Sequence, residues 1–180
     1  IQTLKHGIPS FATLKPYMEK GLDMAQLGQF MNRTFTGKVN MEKVKAIRDI
    51  WKGPLVLKGI ATEEDMEASI QLGVDGVIVS NHGGRQVDAG ESSIVSLMKL
   101  ASNPSYKSKL KIMMDGGIRS GVDLARAHAV GSEFNFMGRP FMYGVGALGE
   151  EGGEHTINMF KAHLYQVMQQ LTVDNIHQLQ

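Results

Sequence analysis

Four short clusters of reactive side chains are spread along the chain, each directly after an apolar run. Lys58-Gly59 follows LVL, and Ser80-Asn81-His82 follows GVIV, with Gly83, Gly84 and Arg85 next in line. Asp115-Gly116-Gly117 follows KIMM, with Ile118 and Arg119 beyond it, and Gly138-Arg139-Pro140 follows FNFM. An imidazole can take a proton, and a guanidinium can grip a carboxylate with a two-pronged fork. Glycine-rich turns that open helices, each with an arginine beside them, are suited to hold a phosphate. DGGIRSG and GRP both have that form, and neither is a Walker loop or a GxGxxG fingerprint. Lys58, His82 and Arg85 are then left to meet the rest of a ligand and a second substrate.

Taken singly, each residue has an ordinary structural explanation. Lys58 could be a solvated strand end, His82 a structural hydrogen-bonder and Arg85 a surface ion-pair former. Asp115-Gly116-Gly117 could be a turn before a helix, and Gly138-Arg139-Pro140 a helix start with proline in its first turn. The coincidence of all four at strand ends favours the functional reading.

The elements that must position them are legible in the patterning. Met41–Trp51 has helical spacing and is stopped by Gly53-Pro54. Leu55–Gly59 reads as a strand. Thr62 followed by three acids reads as a helix start, the helix running to about Leu72. Gly76–Ser80, Lys111–Gly117 and Phe134–Pro140 read as further strands. Glu91–Ala101, Ser120–Val130 and Gly152–Leu171 read as helices. Four strand–helix units imply a parallel sheet with right-handed crossovers. The expected fold class is α/β, and about 25–30 residues per unit suits either an open doubly wound sheet or a (β/α) barrel. A complete eightfold barrel needs about 250 residues. Four units therefore make half a barrel, with its inner face and both sheet edges uncovered, or else a flavodoxin-like sheet.

Composition narrows the function classes. The 180 residues carry 19 Lys+Arg against 18 Asp+Glu, a net charge of +1, which argues against nucleic acid as a partner. There is no cysteine, hence no disulfide framework and no cysteine nucleophile. No apolar run approaches the ~20 residues of a spanning helix. The 12 methionines read as core filler. The sequence opens on Ile1 without a leader pattern, and its first stretch reads as the interior of something longer. Residues 1–40 are rich in glycine and proline with weak periodicity, a long connector with a short helix expected around Thr13–Lys20.

In order, LVLKGI, IVSNHGGRQVD, MMDGGIRSG and FMGRPFMYG resemble the motifs of the FMN-dependent α-hydroxy acid oxidases and dehydrogenases. That family includes L-lactate dehydrogenases, glycolate oxidases and mandelate dehydrogenases, and the chain is most similar to the bacterial L-lactate dehydrogenase type. The resemblance spans about Met41–Gln180 and implies the C-terminal half of a TIM (β/α)8 barrel, with FMN as cofactor. It implies His82 as the active-site base and Arg85 as the binder of the substrate carboxylate. Lys58 would approach flavin N1 and O2, stabilising negative charge on the reduced ring, and Ser80 would meet the flavin side. Asp115 would meet the ribityl chain. Gly116, Gly117, Ile118 and Arg119, with Gly138 and Arg139, would surround the phosphate.

Two departures stand out. TFTGKVNM replaces the acidic and aromatic pattern usual before the helix at Met41, and nothing in residues 1–40 replaces the family's first four strands, substrate tyrosines and histidine-pairing aspartate. The implied activity is oxidation of an L-2-hydroxy acid by a partial enzyme. Its partners would be a small hydroxy acid, the N-terminal half of the same barrel and other copies in a homo-oligomer. The electron acceptor is left open among oxygen, a quinone and a cytochrome. The expected location is the cytoplasm, with the 1–40 segment serving as an active-site loop or as an interfacial contact at the inner face of the membrane. The alternatives are another phosphate-binding barrel enzyme, such as an isomerase, and a non-catalytic half-barrel.

Overall fold

The computed structural model describes residues 13–17, 24–35 and 37–180. Packing divides the chain into two units, Ile1–Asn40 and Met41–Gln180. In the first, Lys15–Tyr17 forms a single 3-10 turn and Met24–Thr34 forms helix α1, where a connector was expected. The hydroxyl of Thr34 closes α1 by donating to the Phe30 carbonyl at 2.8 Å. The remainder of the helix expected around Thr13–Lys20 lies outside the described residues.

The second unit runs α2 (Met41–Ile50), β1 (Val56–Ile60), α3 (Glu63–Gln71), β2 (Gly76–Val79), α4 (Ser93–Ala101), α5 (Pro104–Lys107), β3 (Lys111–Asp115), α6 (Gly121–Ala129), β4 (Phe134–Phe136), α7 (Arg139–Leu148) and α8 (Gly152–Gln170). Short 3-10 turns occupy His82–Gly84, Gly149–Glu151 and Ile176–Leu179. Thr62 caps α3 by accepting from the Asp65 amide at 3.2 Å, with Glu63, Glu64 and Asp65 in the positive first turn. Ser120 and Asp123 form a reciprocal capping box on α6. Three expectations need correcting. Glu91 precedes its helix, because Ser92 takes the cap position and the helix starts at Ser93. The fourth strand ends at Phe136, and the glycine-rich RPFMYGVGAL stretch after it is helical. The third strand ends at Asp115 rather than Gly117, because Gly116 and Gly117 turn to φ of 91° and 77°.

All four strands are parallel, in the order β1-β2-β3-β4. A doubly wound sheet reverses its order at a switch point. The unbroken sequential order is that of consecutive barrel units, which excludes the flavodoxin-like alternative. Because side chains alternate along a strand, each strand has an outward and an inward set. Val77, Val79, Ile112 and Met114 point outward and form a core with Met66, Leu97 and Leu100. The inward set is another matter: Val56 and Phe136 are each 41% exposed and Phe134 58%. Phe134 and Phe136 meet edge to face, with ring centroids 5.0 Å apart. This is the half-barrel expected from the unit count, with its inner face open. Among the described residues no helix is long and apolar enough to cross a membrane.

Candidate active site

The inward alternation carries directly into the site. Lys58 on β1 is in register with Ile78, and Ile78 with Met113. Two residues farther along, Ser80 and Asp115 lie on that same inward face, and Phe136 is in register with Asp115. Lys58, Ser80 and Asp115 are therefore brought together at the carboxyl ends of their strands. The Lys58 ammonium lies 2.8 Å from Asp115 Oδ2 and donates to Ser80 Oγ at 3.1 Å. A bulge at Gly59 (φ +103°) shifts the β1 register just past Lys58 and re-aims the strand end. The lysine and the aspartate, expected as separate contacts, are an ion pair. The other oxygen, Asp115 Oδ1, is buried with no hydrogen-bond partner.

The SNHGGRQ stretch is not an ordinary loop. His82, Gly83 and Gly84 all have left-handed backbones, with φ of 56°, 68° and 73°. For histidine that geometry costs roughly 1–2 kcal/mol, and three bonds compensate. The His82 amide donates to Ser80 Oγ at 3.1 Å. The Gly84 amide donates to Asn81 Oδ1 at 3.2 Å. The Gly83 carbonyl accepts from Arg139 Nη2 at 2.7 Å. The imidazole of His82 and the guanidinium of Arg85 are left exposed, and Arg85 forms no ion pair with any described residue.

A cleft of about 270 Å³ unites these groups, lined by Lys58, His82, Arg85, Asp115, Arg119 and Arg139 among others. Four basic side chains, Lys58, Arg85, Arg119 and Arg139, face one carboxylate, so the cleft suits an anionic ligand with more than one negative charge. Gly116, Gly117, Ile118 and Gly138 also line it, the Ile118 side chain itself being buried. Ser80 does not line this cleft. It is buried beneath it and serves the Lys58 ammonium and the His82 amide.

The two expected phosphate turns differ. At α6 the Ser120 hydroxyl accepts the first-turn Asp123 amide at 3.4 Å and the Asp123 carboxylate takes the amides of Arg119 and Ser120 at 3.0 Å, so that helix start is capped from within the chain. At α7 the cap residue is Gly138, with no side-chain cap, and Pro140 follows in the first turn. The bare helix start is therefore the second one, and its positive end faces the cleft. A Cβ placed on Gly117 or Gly138 would meet no atom within 4 Å, so both glycines border open space.

A sequence model described as FMN-dependent dehydrogenase matches residues 3–180. The chain belongs to the FMN-dependent dehydrogenase family. The match reaches through the lead-in, farther than the motifs at Met41–Gln180 indicated. An L-lactate dehydrogenase of Actinobacillus pleuropneumoniae serotype 5b (strain L20) is 35% identical over 159 residues, covering 88% of this chain and 41% of the relative. One of Alcaligenes faecalis is 33% identical over 163 residues, covering 91% of this chain and 42% of the relative. A mandelate oxidase structure with benzoyl-formic acid superposes with a TM-score of 0.74 at 31% identity, covering 79% of this chain and 42% of that one. The chain thus spans about two fifths of the length of these FMN-dependent dehydrogenase relatives, in keeping with the C-terminal half of the barrel.

FMN carries a phosphate, a hydroxylated ribityl chain and a ring system that gains negative charge on reduction. The donor set fits it. The uncapped α7 start with Arg139, and Arg119 nearby, suit the phosphate. The Asp115 carboxylate, the one acid lining the cleft, suits a ribityl hydroxyl. Lys58 is an ammonium suited to the ring edge.

Sequence reasoning missed two contributors. Asn81 stands in the second strand-end cluster and was given no role, yet its carboxamide accepts from the Gly84 amide. Phe136, whose only signal was its inward register, lines the cleft.

Proposed function

We propose that this chain supplies half of the active site of an enzyme that oxidises an L-2-hydroxy acid, of the lactate or glycolate kind, to the 2-oxo acid with FMN as cofactor. The observation that carries the reading is the joint presence of Lys58, His82 and Arg85 in one cleft with the bare start of α7. FMN, when bound, supplies the acceptor for two electrons. Arg85, free of any carboxylate partner among the described residues, holds the substrate carboxylate with two parallel N–H donors. His82 takes, at an imidazole nitrogen, a proton leaving the hydroxy acid. Lys58, steadied by Ser80 and Asp115, adds positive charge where negative charge grows. Gly116, Gly117, Ile118, Arg119, Gly138 and Arg139 hold the phosphate end.

The same reading has the N-terminal half of the barrel covering the inward face. It also has a homo-oligomer, suggested by the exposed apolar side chains Met142, Tyr143 and Val145 on α7. The 1–40 segment, with Tyr17 and Phe35 exposed, is proposed as an active-site loop or an inner-membrane contact of a cytoplasmic enzyme.

The test is anaerobic flavin reduction in the complete enzyme, followed optically with L-lactate and glycolate. His82→Ala is expected to slow reduction by about 10²–10⁴-fold, and Arg85→Met to raise the substrate Kd. Fast reduction retained in His82→Ala sinks the assigned role. A flavin that no 2-hydroxy acid bleaches sinks the reaction class.

A further inference from the structure

We propose that Asn81 is a positioning residue whose carboxamide holds the left-handed His82–Gly84 turn in its productive shape. The inference rests on the reading of His82 and Arg85 above.

Both ends of the carboxamide are engaged. Oδ1 accepts the Gly84 amide at 3.2 Å, and Nδ2 donates to the Glu91 carbonyl at 3.1 Å. The Asn81 backbone amide is also tied, donating to Ser93 Oγ in the first turn of α4 at 3.0 Å. Glu91 is itself fixed, because its carboxylate accepts from Ser96 Oγ at 3.1 Å and from Lys99 Nζ at 2.8 Å on α4. Asn81 therefore links the turn to a packed helix, whose Ser96 and Leu97 are buried. The residue just after β3 runs close to the same group. A Cβ on Gly116 would fall 3.0 Å from Asn81 Oδ1 and 2.9 Å from Ser93 Oγ, so a larger residue there would push on both side chains that hold the turn.

Ser80 Oγ holds the His82 amide and Arg139 the Gly83 carbonyl, while the Asn81 carboxamide is the side chain that ties the turn to α4. His82 is a non-glycine residue at φ 56°, and Arg85 follows the turn directly. A change in the turn therefore moves the proton acceptor and the carboxylate holder together. Asn81 does not line the cationic cleft; it borders a neighbouring cavity of about 500 Å³ that shares Lys58 and His82 with the cleft. Its effect must pass through His82 and Arg85 rather than through direct contact with a ligand in the cleft.

Asparagine suits this place because it offers one acceptor and one donor. Aspartate keeps the acceptor for Gly84 but sets an oxygen against the Glu91 carbonyl, and alanine loses both bonds.

The experiment compares Asn81→Ala and Asn81→Asp in the complete FMN-loaded enzyme. Three quantities are read: the anaerobic reduction rate, the Kd for L-lactate, and the affinity for FMN. A fourth is the peptide-resolved rate at which diethyl pyrocarbonate modifies His82 without substrate. Asn81→Ala is expected to slow reduction by about 10–100-fold, since misplacement by an ångström costs on that order. It should also raise the lactate Kd and alter His82 modification, with FMN affinity changed less than about threefold. Asn81→Asp should lie between it and the wild type. Wild-type reduction and Kd in Asn81→Ala overturn the proposal, as does a loss of FMN affinity with no change in rate per bound flavin. Should Asn81→Ala fail to fold, Asn81→Asp decides, and wild-type values in it overturn the proposal. His82→Ala, run alongside, separates the two readings: fast reduction there removes the role of His82 itself, whereas slow reduction there with unaffected Asn81 variants removes only the positioning role.

Discussion

Replacing Gly83 by alanine adds a single methyl group, and it would fall 2.6 Å from Arg139 Nη2 at a residue whose φ is +68°. Two costs follow. A left-handed backbone costs a non-glycine residue roughly 1–2 kcal/mol. The methyl also displaces the guanidinium from its 2.7 Å bond to the Gly83 carbonyl, and a charged hydrogen bond is worth about 1.5–3 kcal/mol. Together they remove roughly 2.5–5 kcal/mol from the turn. If the native turn is favoured by ~1.5 kcal/mol, it is left formed in roughly 15% to 0.3% of molecules. Gly84 is the internal control. Its φ is +73°, but a methyl there meets nothing within 4 Å, so only the backbone cost applies and roughly 30–70% of the molecules keep the turn. The assay is stopped-flow anaerobic reduction of the FMN-loaded complete enzyme at saturating hydroxy acid. Gly83→Ala should lose between about sixfold and several hundredfold, and Gly84→Ala about threefold or less. Equal losses in the two variants would refute the Arg139 contact as the deciding factor. A further check is Gly83→Ala in an Arg139→Ala background, where the added methyl should cost markedly less than in the wild type.

Lys58→Met should lower stability by about 1–2 kcal/mol in urea unfolding. It strands the Asp115 carboxylate, which already has one unpartnered oxygen, although the half-exposed lysine limits the loss; Lys58→Met with Asp115→Asn should recover part of it. Gly121→Ala should lower Tm by about 5–12 °C in calorimetry. Its methyl would lie 2.7 Å from the backbone carbon and the Cβ of His163, where α6 meets α8. Glu91 is held below the ordinary carboxylate value of 4.5, mainly by its hydrogen bond from Lys99. A depressed carboxylate stabilises the fold above that value and loses its contribution as pH falls through the folded pKa. Unfolding measured from neutral pH down into the acid range should therefore show a shallower acid loss in Lys99→Met than in the wild type, and parallel curves would refute the link.

Much of this arrangement could be read from the residues, and what could not has a common cause. The strands announced themselves because Leu55–Gly59, Gly76–Ser80 and Lys111–Gly117 are short apolar runs bounded by glycine or proline. Thr62 and Ser120 marked helix starts because their caps depend on residues three positions away. The start of α7 was legible in Gly138-Arg139-Pro140, but its extent was not, because Gly144 and Gly146 are poor helix formers and its helical state depends on tertiary packing. Within the site, the clusters at strand ends were visible, and their pairing was not. Lys58 and Asp115 lie on strands separated by β2, and only the register brings them onto one face. The Arg139 bond to Gly83 spans 56 residues, and nothing local to GRP foretold that its arginine would brace the turn bearing His82.

The contrast between the two helix starts has a consequence for how the protein reports its own occupancy. The amides of Arg119 and Ser120 are tied to Asp123 and should exchange slowly with deuterated solvent under all conditions. Those of Gly138, Arg139 and Phe141 have no side-chain cap, and their exchange should slow when an anion settles on them. The ratio of the two rates gives a gauge of occupancy, internal to a single chain, that needs neither turnover nor colour.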